Sequence, residues 1–193
     1  ITFIGCGRCR RAMATSKTGS FWLTERINIA SASLGTPQIG TIDLGSYVDV
    51  GDQQALAIEV VDFQWQGVDT NGNAQMFKDA ITADTEFLTQ LSDLNPASDV
   101  LFADANSLIA SGSLYFDNAG GFSHMQDLYP DSFGKLDESR LVVNDQIYML
   151  ATGSGGIAAG EAIACTVRVK ARIVKLSSKD WMAIAIQSTA ADN

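Results

Sequence analysis

Cys6 and Cys9 stand three apart in C-G-R-C, a spacing that can grip zinc or run a dithiol–disulfide couple. Structural zinc takes four ligands, usually from two such pairs or from one pair and histidines. The only other cysteine is Cys165. A redox C-x-x-C sits after a strand and opens a helix, whereas this one lies among Gly and Arg residues near the chain start. Idle thiols or a local disulfide fit better than half a metal site completed by another subunit. His124 is the sole histidine, which excludes the zincin, cupin and facial-triad metal sites. A Ser-His-Asp triad lacks its G-x-S-x-G elbow, and a solvated or structurally bonded His124 within a long loop is expected.

Carboxylates can do acid–base work without histidine. The run "DLYPDSFGKLDE" is rich in them, but no spacing nominates a pair, so capped surface turns are expected. Two Asp/Asn-rich stretches, Asp69–Asn73 (DTNGN) and Phe116–Gly121 (FDNAGG), offer the oxygen ligands calcium takes; neither has the full EF-hand spacing. The glycines of "GSGGIAAG", from Gly153 to Gly160, can be laid over two phosphate loops. A dinucleotide fingerprint needs a helix next, and the clearest alternating strand of the chain follows instead. A Walker loop needs Lys after its second glycine, and Glu161 stands there, where it would repel phosphate. The stretch therefore reads as a loop between two antiparallel strands, with glycines supplying positive φ.

The elements around these residues are mostly strands. From Ala162 to Val174 the apolar residues Ile163, Cys165, Val167, Val169, Ala171 and Ile173 alternate without a break, predicting a half-buried strand roughly 40 Å long. Cys165 falls on its apolar face as a small core residue. Arg168, Lys170 and Arg172 line the other face, a row suited to an acidic neighbour or a lipid headgroup, or else to an ordinary wet face. Strands are also expected in 21–34, 139–152 and 105–118, and around Ile42 to Val50. In "ALAIEVVDFQWQ" Leu56, Ile58 and Val60 share one face and Val61, Phe63 and Trp65 the other. The flip predicts a β-bulge or a crossing between sheets. Asn71-Gly72 signals a hairpin turn. Phe87, Leu88, Leu91 and Leu94 have helical spacing up to Pro96, and Ser177-x-x-Asp180 resembles a capping box opening a short helix.

The bulk numbers agree. The chain has 193 residues and is 46% hydrophobic, enough for one domain with a real core. Its net charge of −9 argues against a general nucleic-acid binder. Asp outnumbers Glu heavily among the 22 acids, which favours turns over helix interiors. Residues 1–20 hold Arg8, Arg10, Arg11 and Lys17 and no acid, so a basic arm (1–19) precedes one acidic β-sandwich domain (20–193). The chain starts at Ile, as expected where a preceding residue or segment has been removed. No run reaches the roughly 18 apolar residues of a membrane span.

About eight strands with one or two short helices predict a mainly β antiparallel sandwich of the jelly-roll kind. The basic arm "GCGRCRRAMATSK", a strand-rich domain of this size, and the late strands "RLVVNDQIYMLA" and "ACTVRVKARIVKL" together resemble the single jelly-roll capsid proteins of icosahedral viruses. The resemblance implies a structural protein of the virion that self-assembles into a large symmetric homo-oligomeric shell, with its arm facing inward or weaving between subunits. Partners implied are further copies, other virion proteins, and genome or an internal membrane touched by the arm. The arm here carries fewer charges than is usual in that family, which favours lipid or subunit contacts over genome packaging. Arg8, Arg10, Arg11, Lys17, Arg168, Lys170 and Arg172 are the expected assembly contacts, with Phe122 and Phe133 as loop aromatics that often mark interfaces. No catalytic residue, metal or cofactor is expected. The alternatives are a lectin-like or fibre-like module that binds carbohydrate or calcium, and, last, a jelly-roll glycosidase.

Overall fold

A computed structural model of the chain describes residues 14–127 and 140–189. In chain order the strands are β1 (Thr15–Ser16), β2 (Phe21–Ala30), β3 (Gln38–Asp43), β4 (Gln54–Val68), β5 (Ala74–Gln75), β6 (Thr85–Ser92), β7 (Leu108–Asp117), β8 (Phe122–Asp127), β9 (Arg140–Val142), β10 (Gln146–Ser154) and β11 (Ala162–Lys175), followed by helix α1 (Ser178–Thr189). Short 3-10 turns lie at Ser31–Ser33 and Phe77–Ala80.

The strands form two antiparallel sheets. In the first, β11 lies between β4 and an edge made of β2 and β1, while β5 and β9 pair with the far side of β4. The second runs β3-β10-β6-β7-β8. The path crosses between sheets at β2 to β3, β3 to β4, β5 to β6, β8 to β9, β9 to β10 and β10 to β11. With β2-β11-β4-β9 facing β3-β10-β6-β7, this is the strand order of a jelly roll. Ile29, Leu56, Phe87, Leu91, Met149 and Cys165 are among the buried side chains that fill the space between the sheets. A second, smaller apolar cluster lies on the outer face of the first sheet. There Trp181, Ile184 and Ala185 of α1 cover Ala55, Ala57, Val174 and Leu176.

The alternation of 162–174 is seen in β11, fourteen residues long, with Ile163, Cys165, Val167, Val169 and Ala171 all buried inward. The phase change in β4 is a bulge. Lys170 pairs with Val60 and Ala171 with Ile58, so Glu59 is the extra residue. The extra residue turns Leu56, Ile58, Val61 and Phe63 all to the same core, leaving Val60 outward. Asn71 and Gly72 make the β4–β5 turn, with Gly72 at φ +83°. Ser177 caps α1: its hydroxyl donates to Asp180 (2.7 Å) and accepts from the Asp180 N–H (3.2 Å).

Four expectations need correction. Residues 85–92 are strand, not helix. Phe87 and Leu91 are four apart, a spacing that also falls on one face of a strand. Thr89 between them completes that face and donates to the Leu150 carbonyl of β10 (3.0 Å). The glycine loop does join β10 to β11, but these strands lie in opposite sheets, so the loop is a crossover and not a hairpin. β3 ends at Asp43; Val48 and Val50 lie in the turns that follow, where Leu44 accepts from the Tyr47 and Val48 N–H groups. Phe122 and His124 lie on β8 rather than in a loop.

Candidate assembly surface

Arg8, Arg10 and Arg11, with Cys6, Cys9 and Phe133, lie outside the described residues, as does most of the acid-rich run 127–138. Lys17 stands just after β1, which pairs with the end of β11. The Lys17 N–H donates to Ile173 O (2.9 Å), and its ammonium is 3.8 Å from Asp52. The last residues of the basic arm therefore lie against the first sheet.

Arg168, Lys170 and Arg172 project outward from β11, opposite the inward Val167, Val169 and Ala171. Two of them meet the bulge. Glu59, only 6% exposed, contacts the Arg172 guanidinium, lies 4.0 Å from the Lys170 ammonium, and accepts from the Ser20 hydroxyl (2.8 Å). Arg168 pairs across the strands with Asp62, and its guanidinium sits 4.7 Å above the Trp22 ring of β2, a cation–π contact. The sequence shows the row of cations. It gives no sign that a residue far away in the chain supplies their counterion, because that depends on the β4–β11 register.

At one end of the sandwich the crossovers pack together. The Thr82 N–H donates to Gly156 O (3.1 Å) and the Ala158 N–H to Ala80 O (2.9 Å), tying the glycine loop to the segment before β6. A Cβ on Gly155, whose φ is +112°, would lie 2.2 Å from Asp84 O. Both calcium candidates lie in turns of this end. Asp69 Oδ1 already accepts from the Asn71 and Asn73 N–H groups, each at 2.8 Å, and the Asn73 bond leads in holding its carboxyl below the usual range. Asp117 Oδ1 accepts from the Gly120 N–H (2.7 Å). Turn geometry thus engages these carboxylates, and among the described residues no three His, Cys, Asp or Glu side chains gather as a metal site. Cys165 is buried, and desolvation pushes its thiol up to about 12.

At the opposite end one loop holds an aromatic outward. Phe102, in the connection from β6 to β7, is 83% exposed. Its neighbour Leu101 is clamped from both sides by Gln90: the amide donates to Leu101 O and accepts from the Leu101 N–H, each at 2.8 Å. Asp93 N–H donates to Ser107 O (3.0 Å) at the loop's base, and Arg140 donates to Asn106 O and contacts Asp93. Nothing in the sequence pattern singles out Phe102, because its exposure is set by how the loop is fastened.

No family model matches the chain, and no curated protein matches it. Solved structures similar to it include viral proteins. VP1 of the trichodysplasia spinulosa-associated polyomavirus, in complex with sialylated glycooligomers, aligns with a TM-score of 0.44 at 10% identity over 85% of this chain and 99% of its own. The unassembled VP1 pentamer of Merkel cell polyomavirus aligns at 0.42 and 7% identity over 84% and 99%. Desmodium yellow mottle tymovirus aligns at 0.35 and 5% identity over 82% and 89%.

Proposed function

We propose that this chain is a structural subunit that self-assembles into the shell of a virion. Phe102 carries the reading. A large aromatic held in water by a loop fastened at Gln90, Asp93 and Arg140 belongs to neither apolar cluster of the described residues. Such a pre-ordered anchor enters a partner's pocket with little entropy left to lose. The jelly-roll strand order is compatible with a shell subunit but is used by binding modules too, so it supports the reading without deciding it. Partners under this reading are further copies of the chain and other virion proteins. The basic residues Arg8, Arg10, Arg11 and Lys17 would contact genome, an internal membrane or neighbouring subunits. The role is structural, not enzymatic.

Light scattering and negative-stain imaging of the purified chain, at low and high salt, test the proposal. Regular particles or rings far larger than one chain are expected. A clean monomer under every condition would overturn it.

A further inference from the structure

The outer face of the first sheet differs from the rest of the molecule. Along β2 its outward residues Trp22, Thr24, Arg26, Asn28 and Ala30 are all exposed. Beside them Arg168, Lys170 and Arg172 follow one another along β11 at about 7 Å per step. The next outward position, Val174, lies beneath α1, whose other side shows Met182 (63% exposed) and Ile186 (67%). Cations, an indole and an apolar helix side thus form one continuous surface. Arg168 is braced on Trp22, so that part of the surface is already ordered. Glu59 beneath it offsets part of the charge of Lys170 and Arg172, and among the described residues Asp62, Asp180 and, by Lys17, Asp52 also reach this side, leaving Arg26 and Arg168 as its cations without a counterion given by the fold. The chain as a whole carries 22 acids against 13 bases, so its other surfaces are acidic.

We infer that this face docks onto an acidic surface of a second copy of the chain, an inference that rests on the shell reading above. Charge complementarity points to the partner: a basic face and an acidic remainder on one molecule attract head to tail, and repeated contacts of that type close into rings where the rotation between copies permits. The residue types fit too, since Trp, Arg and Met are enriched at protein interfaces. A nucleic acid would use the cations and Trp22 but would gain nothing from Met182 and Ile186.

The test compares the full wild-type chain with Arg26→Glu/Arg168→Glu, Arg26→Lys/Arg168→Lys and Met182→Ser. Assembled fraction is read by light scattering at low salt and at roughly 0.5 M salt, where exposed charges are screened. The double Glu variant is expected to lose assembly about tenfold at low salt, the Lys variant to keep most of it, and Met182→Ser to weaken it at both salts. Arg26→Glu alone, at an exposed site, replaces the double variant if circular dichroism shows that one unfolded. If wild type assembles and the Glu variants assemble equally well, this inference fails while the shell role stands. If wild type never assembles, both fall. Glu variants that assemble normally, yet lose retention on vesicles of anionic phospholipid or on a single-stranded oligonucleotide, also overturn the inference and assign the face to that ligand.

Discussion

At position 59 a carboxylate sits where β4 holds one residue more than β11. Its burial is tolerable because Arg172, Lys170 and the Ser20 hydroxyl surround it. Glu59→Ala would leave two partly buried cations without their counterion, and should lower unfolding free energy by about 3 kcal/mol in a denaturant titration. Lys170→Ala should cost much less, since its ammonium is the more exposed and more distant partner. The flip of apolar phase at Val60 and Val61 is legible in the sequence because it breaks a period of two. The role of Glu59 is not, because a bulge can be placed to within a residue or so by pattern, whereas its neighbours across the sheet come only from register.

Whole elements were legible where a single periodicity applied. β11 alternates strictly from Cys165 to Ala171, and α1 opens with a capping pair before an apolar run. β6 was not, because residues four apart satisfy helix and strand alike, and only the pairing with β7 and β10 decides between them. The glycine crossover is a middle case. Its composition predicts positive φ, which Gly155 and Gly160 have, but not that its two strands belong to different sheets. Gly155→Ala joins an unfavourable backbone angle to a collision with the Asp84 carbonyl. It should lower the melting temperature by several degrees, and hydrogen exchange should quicken first at Thr82 and Ala158, the amides that hold the crossover in place.

Across the whole molecule, the mainly β sandwich and the charge asymmetry are legible in the sequence, though eleven strands are described where about eight are expected, while the placement of Phe102 and the joining of β2, β11 and α1 into one basic and apolar face emerge only from the fold. Phe102→Ser separates stability from association. An exposed side chain adds little to the core, so the melting temperature of the unassembled chain should change by no more than about 2 °C, while the assembled fraction seen by light scattering should fall at least about tenfold. A matching loss of stability would show instead that the ring braces its own loop. Ala14, at the first described position, packs into the same small cluster as Trp181 and Ile184 of the last helix. A peptide inserted between Ala14 and β1, or at the start of α1, would therefore disturb this cluster beside the basic face. The Asn71-Gly72 turn caps the far end of the fifteen-residue β4, some 45 Å away at about 3.3 Å per residue. For anyone tagging or displaying a cargo on this protein, that turn is the attachment point that leaves α1 and the Lys170–Arg172 end of the face clear.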